Sequence, residues 1–331
     1  MVIDTIIQGK HFTMLYMARS STRAHLLLTV FHNYLNEQFL QLCSQEDPSS
    51  DRLRVNVSRH PTRIDDFSPP VHGLICRKYD SNVIIGNPST GQFLTLPRVK
   101  TRRRGVYSFL GYDPVNHVYK VLCMTVLQGH RQRRESQVVS EEHQVYTLGA
   151  GQTSWRMIEC KHPHLTHPCY SKGGLCINGG LYYYAWIKNK GSLISFDLTS
   201  EEFSVIKLPE DSACLVNYTG KIALRRNHSI GKLDLLVLED AKRQEWSEVS
   251  VLVPSWIDSV EFRFRGTLST GELVFSQSTR AVAVTRSILS VTISRKTMPK
   301  RFWLKESEIS MFLATSILIM LRVLWFCEFL S

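Results

Sequence analysis

Apolar and polar positions alternate in short runs that break at turn-forming residues and then resume, the pattern of antiparallel strands joined by tight hairpins. The stretch from Ile84 to Pro97, IIGNPSTGQFLTLP, shows the unit. Ile84 and Ile85 end one strand, and Asn87, Pro88 and Gly91 suit turn dihedrals. Phe93, Leu94 and Leu96 begin the return before Pro97 withholds a ladder donor.

The unit recurs in degenerate form. LISFDLTSEEFSVIKLP, from Leu193 to Pro209, has Asp197 in the place of Asn87 and Phe203 in that of Phe93. SFLGYDPVNHVYKVLCM turns at Asp113-Pro114, and HQVYTLGAGQTSWRMIEC turns at Gly149 to Gly151 and returns through Trp155. DLLVLEDAKRQEWSEVSVLVP turns between Glu239 and Gln244 and returns through Trp246. Turn centres spaced by roughly 25 to 50 residues match the period of four-stranded propeller blades. The expected fold class is all-β: a repeat-built, β-propeller-like domain of antiparallel hairpins, with Trp155, Phe203 and Trp246 packed between neighbouring sheets.

The pattern also divides the chain. Within residues 1–43, LLLTVFHNYL and FLQLC suit a strand followed by a short helix. Residues 44–70, with SQEDPSSDR and FSPPVHG at their ends, read as a linker or surface loop. Residues 71–275 hold the repeats. Residues 276–331 still alternate at first but show no hairpin of the earlier kind, and they end in the apolar segment 309–330, which Arg322 and Glu328 interrupt. Three readings of that segment stay open: a membrane anchor, a buried helix or strand that closes the β domain, and a tail without a role.

Composition changes this picture little. At 331 residues and 43% hydrophobic content, the chain can fill a sizeable core. The formal charge of +11 implies attraction to acidic partners, whether nucleic acid, anionic membrane or an acidic protein face. Eight cysteines without a CxxC pair, and an N-terminus without signal-peptide regions, suit a reducing compartment, cytoplasm or nucleus, in which Cys76, Cys123 and Cys214 act as small hydrophobes.

Candidate chemistry is sparse. CKHPHLTHPC offers Cys160, His162, His164, His167 and Cys169 as zinc-type ligands in one short loop, but without the paired spacing of structural zinc sites it reads better as a histidine-rich connector, and no metal or other cofactor is expected. No GxSxG, HExxH or GxxxxGK[ST] motif occurs, and Asp113, Asp197, Glu239 and Asp240 are accounted for by turn chemistry, so no catalytic residue and no enzyme activity is expected. The basic runs KTRRRG and GHRQRRE have few aromatics to stack bases, which disfavours nucleic acid as a partner. By exposure and charge, the candidate binding loops are 99–104 (Val99 to Arg104), 128–140 (Gln128 to Ser140) and 161–172 (Lys161 to Lys172).

Taken in order, SPPVHGLICRKYDSNVIIGNPSTGQFLTLP, HQVYTLGAGQTSWRMIEC, GGLCINGGLYYYAWI, SLISFDLTSEEFSVIKLP, LVNYTGKIALRR and LDLLVLEDAKRQEWSE resemble the successive motifs of the plant F-box-associated domain, over about residues 20 to 275. The resemblance implies a β-propeller-like module that recognises a protein target, with an F-box ahead of it that docks the Skp adaptor and the cullin of an SCF ubiquitin ligase. HFTMLYMARSSTRAHLLLTVF resembles the segment that follows the F-box, and MVIDTIIQGK before it has no leucine-rich amphipathic helix, so residues 1–43 are expected to be a remnant without an intact F-box. The function expected is substrate recognition in the ubiquitination pathway, with ligase recruitment in question. The alternatives are a membrane-tethered interaction protein and a basic RNA-binding propeller.

Overall fold

The computed structural model describes residues 24–32, 37–44, 52–58, 67–79, 82–101, 105–126, 142–149, 154–166, 174–188, 190–209, 214–226, 232–253, 262–267, 272–277, 288–293, 300–303 and 312–321. Every regular element among them is a strand, and the strands form six antiparallel sheets.

The sheets follow one another along the chain as blades. Strands β1 (Ala24–His32), β2 (Glu37–Ser44) and β3 (Arg52–Ser58) belong to blade 1, and β4 (Ile75–Tyr79), β5 (Asn82–Asn87) and β6 (Gln92–Thr95) form blade 2. Blade 3 runs through β7 (Gly105–Asp113), β8 (Val118–Val126), β9 (Glu142–Thr147) and β10 (Arg156–Ile158). In blade 4, β11 (Leu165–Thr166) and β12 (Leu175–Ile177) share the inner edge of β13 (Gly180–Ile187), followed by β14 (Lys190–Asp197) and β15 (Phe203–Lys207). Blade 5 is β16 (Cys214–Tyr218), β17 (Lys221–Arg225), β18 (Lys232–Asp240) and β19 (Glu245–Leu252). Blade 6 is β20 (Phe262–Thr267), β21 (Leu273–Gln277), β22 (Ile288–Ile293) and β23 (Lys300–Trp303). The last strand, β24 (Phe312–Leu321), returns to pair with β1, so blade 1 draws strands from both ends of the described chain and closes the ring. In blade 2, Phe67 bridges Arg77 on the edge of β4 away from β5, where the other blades carry an innermost strand.

Each pair of successive blades shares an apolar seam. Leu27 and Leu40 of blade 1 pack with Ile75 of blade 2; Cys76, Val83 and Ile85 of blade 2 pack with Val121 and Trp155 of blade 3. Phe109 and Met124 of blade 3 meet Tyr183 and Phe196 of blade 4, with the Phe109 and Tyr183 rings stacked 4.6 Å apart. Leu193 and Ile206 of blade 4 meet Ile222 and Leu238 of blade 5, whose Val216 and Leu235 pack on Phe264 and Phe275 of blade 6. In blades 2 to 5 the aromatic residue near the start of the outer strand fills the seam toward the preceding blade: Phe93 toward blade 1, Trp155 toward blade 2, Phe203 toward blade 3 and Trp246 toward blade 4. A large ring at that position buries area against both sheets, which is why the repeat retains aromatic character there while its other positions drift.

Several stretches differ from the sequence expectation. FLQLC lies in β2 rather than in a short helix, because full-length pairing with both β1 and β3 overrides a short ambiguous apolar run. Residues 44–70, expected as a linker, include β3, whose alternation sits between polar, proline-bearing flanks that mask it. Beyond residue 275, where no hairpin was expected, β22 and β23 complete blade 6. Within the apolar segment 309–330, β24 takes the closing-strand arrangement, and among the described residues no helix is long and apolar enough to cross a membrane.

Candidate functional site

Adjacent strands in these blades run in opposite directions, so the turn from first to second strand and the turn from third to fourth lie at one end of a blade, and all other links lie at the opposite end. The ring therefore has two rims of different construction.

The first rim is made of tight turns. Asn87 Oδ1 accepts the Ser89 amide at 2.9 Å; Asp113 Oδ1 accepts the amides of Val115 and Asn116 at 3.0 and 3.1 Å. Asp197 Oδ1 accepts those of Thr199 and Ser200, both at 2.8 Å, and Asp240 Oδ1 those of Lys242 and Arg243 at 2.7 and 3.0 Å. A short carboxylate or amide side chain suits this place because it satisfies backbone donors that the turn leaves over. At the seam between blades 3 and 4 two such turns interlock. Asp113 is fully buried and also accepts Thr199 Oγ1 at 2.9 Å, while Lys120 Nζ lies 3.4 Å from Asp113 Oδ2 and 3.0 Å from Glu201 Oε1 and donates to the Leu198 carbonyl. Arg156 closes the group on the other oxygen of Glu201 at 2.5 Å. Burial opposes ionisation of Asp113, but the hydrogen bonds from Asn116, Thr199 and Val115 outweigh it and hold its pKa at about 2. Burial likewise opposes ionisation of Glu201, and Arg156 and Lys120 together lower its pKa. Gly111 lets this seam close: a Cβ there would stand 2.6 Å from Leu198 Cδ1.

The second rim carries the longer links, including those after β6, β8 and β10. Their described ends converge beside blade 3. Glu142 Oε2 accepts both Thr101 Oγ1 and Thr125 Oγ1 at 2.8 Å, and Gln144 Nε2 donates to the Lys100 carbonyl at 3.2 Å. In the sequence, Arg102 to Arg104 follow Thr101 directly, and Arg131, Arg133 and Arg134 fall between β8 and β9. Of the three candidate loops, 99–104 begins inside the core, since Val99 is buried in the seam between blades 2 and 3; its residues 102–104, all of 128–140 and residues 167–172 lie outside the described residues.

Beside that corner, His143 of β9 meets Cys160 and His164 of the link between blades 3 and 4, with one ligand-type atom from each within 4.8 Å of the others. Cys160 Sγ lies 3.9 Å from His164 Nδ1; His164 Nδ1 faces the His162 carbonyl at 2.7 Å, and its Nε2 faces Tyr183 Oη at 2.9 Å. Burial lowers the pKa of His164, which keeps its ring neutral near pH 7. Of the five ligands weighed in the sequence, the structure brings Cys160 and His164 together; the His162 side chain points to solvent, and His167 and Cys169 lie outside the described residues. His143 was missed, since only strand pairing brings β9 alongside that link. Burial pushes the Cys76 thiol up to about 12 and the Cys176 thiol up to about 11, so these two are packing groups rather than nucleophiles.

Six sheets in a ring, each packed only on its neighbours, define the class as a β-propeller. Residues 25–319 match the sequence model of the F-box associated beta propeller domain, and the chain belongs to that family. An F-box/kelch-repeat protein of Arabidopsis thaliana is 48% identical over 289 residues, which cover 82% of this chain and 73% of that relative. An F-box protein of the same plant is 36% identical over 300 residues, 82% of this chain and 72% of the relative. Among solved structures, TolB from Acinetobacter baumannii aligns over 82% of this chain and 61% of its own, at a TM-score of 0.47 and 10% identity.

Proposed function

We propose that this chain is a non-catalytic protein-recognition module of the ubiquitination pathway that takes its target on the rim of long links beside blade 3. The observation that carries the reading is family membership together with relatives named as F-box proteins. The rim supports the location. Links that leave strand ends can vary in length and charge without disturbing the ladders, and recognition residues concentrate on such links above a rigid scaffold. Six arginines in two of these links, against a formal charge of +11 for the whole chain, favour a target with an acidic face. In an F-box protein the partners on the ligase side are the Skp adaptor and the cullin.

The test is affinity purification of the tagged 331-residue chain from plant cells with quantitative mass spectrometry. Recovery of the Skp adaptor and cullin near one per chain places the chain in a ligase as a receptor. Recovery of neither the ligase subunits nor any protein that gains ubiquitin when the chain is present contradicts the reading.

A further inference from the structure

The cluster of His143, Cys160 and His164 has a chemistry that target recognition does not use. We propose that these three side chains form a binding site for zinc or another thiophilic divalent cation, which staples the link between blades 3 and 4 onto β9.

Three observations carry it. The donor set of one sulfur and two imidazoles is the one that tetrahedral zinc prefers. The spacing is close to that of a loaded site: bond lengths of about 2.3 Å to sulfur and about 2.0 Å to nitrogen put neighbouring ligand atoms roughly 3.5 Å apart, and Cys160 Sγ stands 3.9 Å from His164 Nδ1. The surroundings hold the ligands in place. His164 is fully buried and His143 nearly so, while Cys160 is half-buried and leaves a side of the cluster open to water as the remaining ligand.

Tyr183 supplies the outer support. With His164 Nδ1 directed at the His162 carbonyl, Nε2 accepts from Tyr183 Oη at 2.9 Å. When a cation takes Nδ1, the ring carries its proton on Nε2 instead and donates it to Tyr183 Oη, the arrangement in which an outer hydrogen bond orients a metal-bound imidazole. Cys160 binds as the thiolate, so one proton from its thiol goes to solvent for each cation bound. The cation then joins two segments that the chain separates by the β9–β10 hairpin, beside Phe203 of β15, whose ring lies 5.0 Å from that of His143.

The experiment uses the full chain, stripped with chelator and titrated with cobalt(II) as a spectroscopic stand-in for zinc. The expected result is saturation at one equivalent with the near-ultraviolet thiolate-to-cobalt charge-transfer band and the strong visible bands of a tetrahedral site, bleached by added zinc. Cys160→Ser abolishes the charge-transfer band; its half-exposed position lets the variant fold, which far-ultraviolet circular dichroism checks. Cys214→Ser, at an exposed cysteine in blade 5, leaves the band unchanged. Tyr183→Phe keeps the ring in the seam and weakens cobalt binding by about 10-fold or more. A wild-type chain that takes up no cobalt, one whose saturated spectrum lacks a thiolate band, or a Cys160→Ser variant that keeps the band overturns the proposal.

Discussion

On one rim of the ring, Asn87, Asp113, Asp197 and Asp240 each close a hairpin with one side chain accepting one or two amides of its own turn. On the other, the links after β6 and β8 carry the basic runs and their ends meet at Glu142, while the link after β10 brings Cys160 and His164 to His143 of β9. Both rims hang from the same strands. A turn of a few residues is fixed by backbone geometry and accepts only the residues that suit it, which is why the tight rim repeats visibly along the sequence. A longer link has no such constraint, since doubling a loop costs only about 0.6 kcal/mol in closure entropy. The tight rim is thus where turn geometry restricts the residues, and the other is where length and composition can vary.

Even within the tight rim, two copies of one turn differ. Asp113 is fully buried against Lys120 and the next blade, whereas Asp240 faces solvent, with Arg243 3.9 Å away. The local hydrogen bonds are alike, and the surroundings decide how much each one matters.

The largest effect should come from the core that both rims share. Trp155 is 7% exposed, packs between blades 2 and 3, and donates from Nε1 to the Pro97 carbonyl at 2.6 Å. Trp155→Ala should cost about 3 to 5 kcal/mol, and in thermal denaturation the whole ring should melt earlier in one transition. An unmoved midpoint would sink the seam assignment. Next comes the buried turn. Asp113→Ala leaves the buried Lys120 with Glu201 as its one carboxylate among the described residues and should cost on the order of 3 kcal/mol in urea unfolding, while Asp240→Ala should shift the urea midpoint far less. Equal shifts for the two variants would break the comparison.

Acid sharpens the same contrast. The folded pKa of Asp113, about 2, lies below its ordinary value of 3.8, so this carboxylate stabilises the fold above about pH 4 and that contribution fades as pH falls toward 2. The amount at stake is about 2 kcal/mol. Unfolding free energy measured across that window should fall less steeply in Asp113→Asn than in the natural chain; parallel curves would assign the acid sensitivity to other carboxylates. The smallest effect is expected of Trp246→Phe. The indole Nε1 of Trp246 is buried with no hydrogen-bond partner among the described residues, so its removal should leave the thermal midpoint nearly in place.

What the sequence made legible follows the same division. The turns at Asn87, Asp113, Asp197 and Asp240, and the aromatic residues that follow three of them, were readable because each is a local signal: a polar turn residue with alternation on both sides, followed at Asn87 and Asp113 by a proline. The structure shows that these turns are not all equivalent, since Asp113 joins the first and second strands of its blade and the others join the third and fourth. β3 and the pairing of β22 with β21 and β23 were missed, because β3 lies between polar, proline-bearing flanks and the sequence after residue 275 carries no turn signal of the earlier kind. The partnership of β1 with β24 is the most non-local of all: a closing strand was one of three readings of the apolar segment, but no window of sequence names its partner. The candidate metal cluster was half legible: Cys160 and His164 stand in one short loop, but His143 reaches them only through the register of β9 with β10.

The central claim is that recognition belongs to the rim of long links. It is tested most directly by charge reversal on each rim in turn, Arg102, Arg103, Arg131 and Arg133 to Glu on one and Lys242 and Arg243 to Glu on the other, followed by quantitative affinity purification of each folded variant beside the natural chain. Proteins ubiquitinated in response to the natural chain should vanish from the first variant and remain with the second. Retention by the first and loss from the second would move the recognition surface to the tight-turn rim and contradict it.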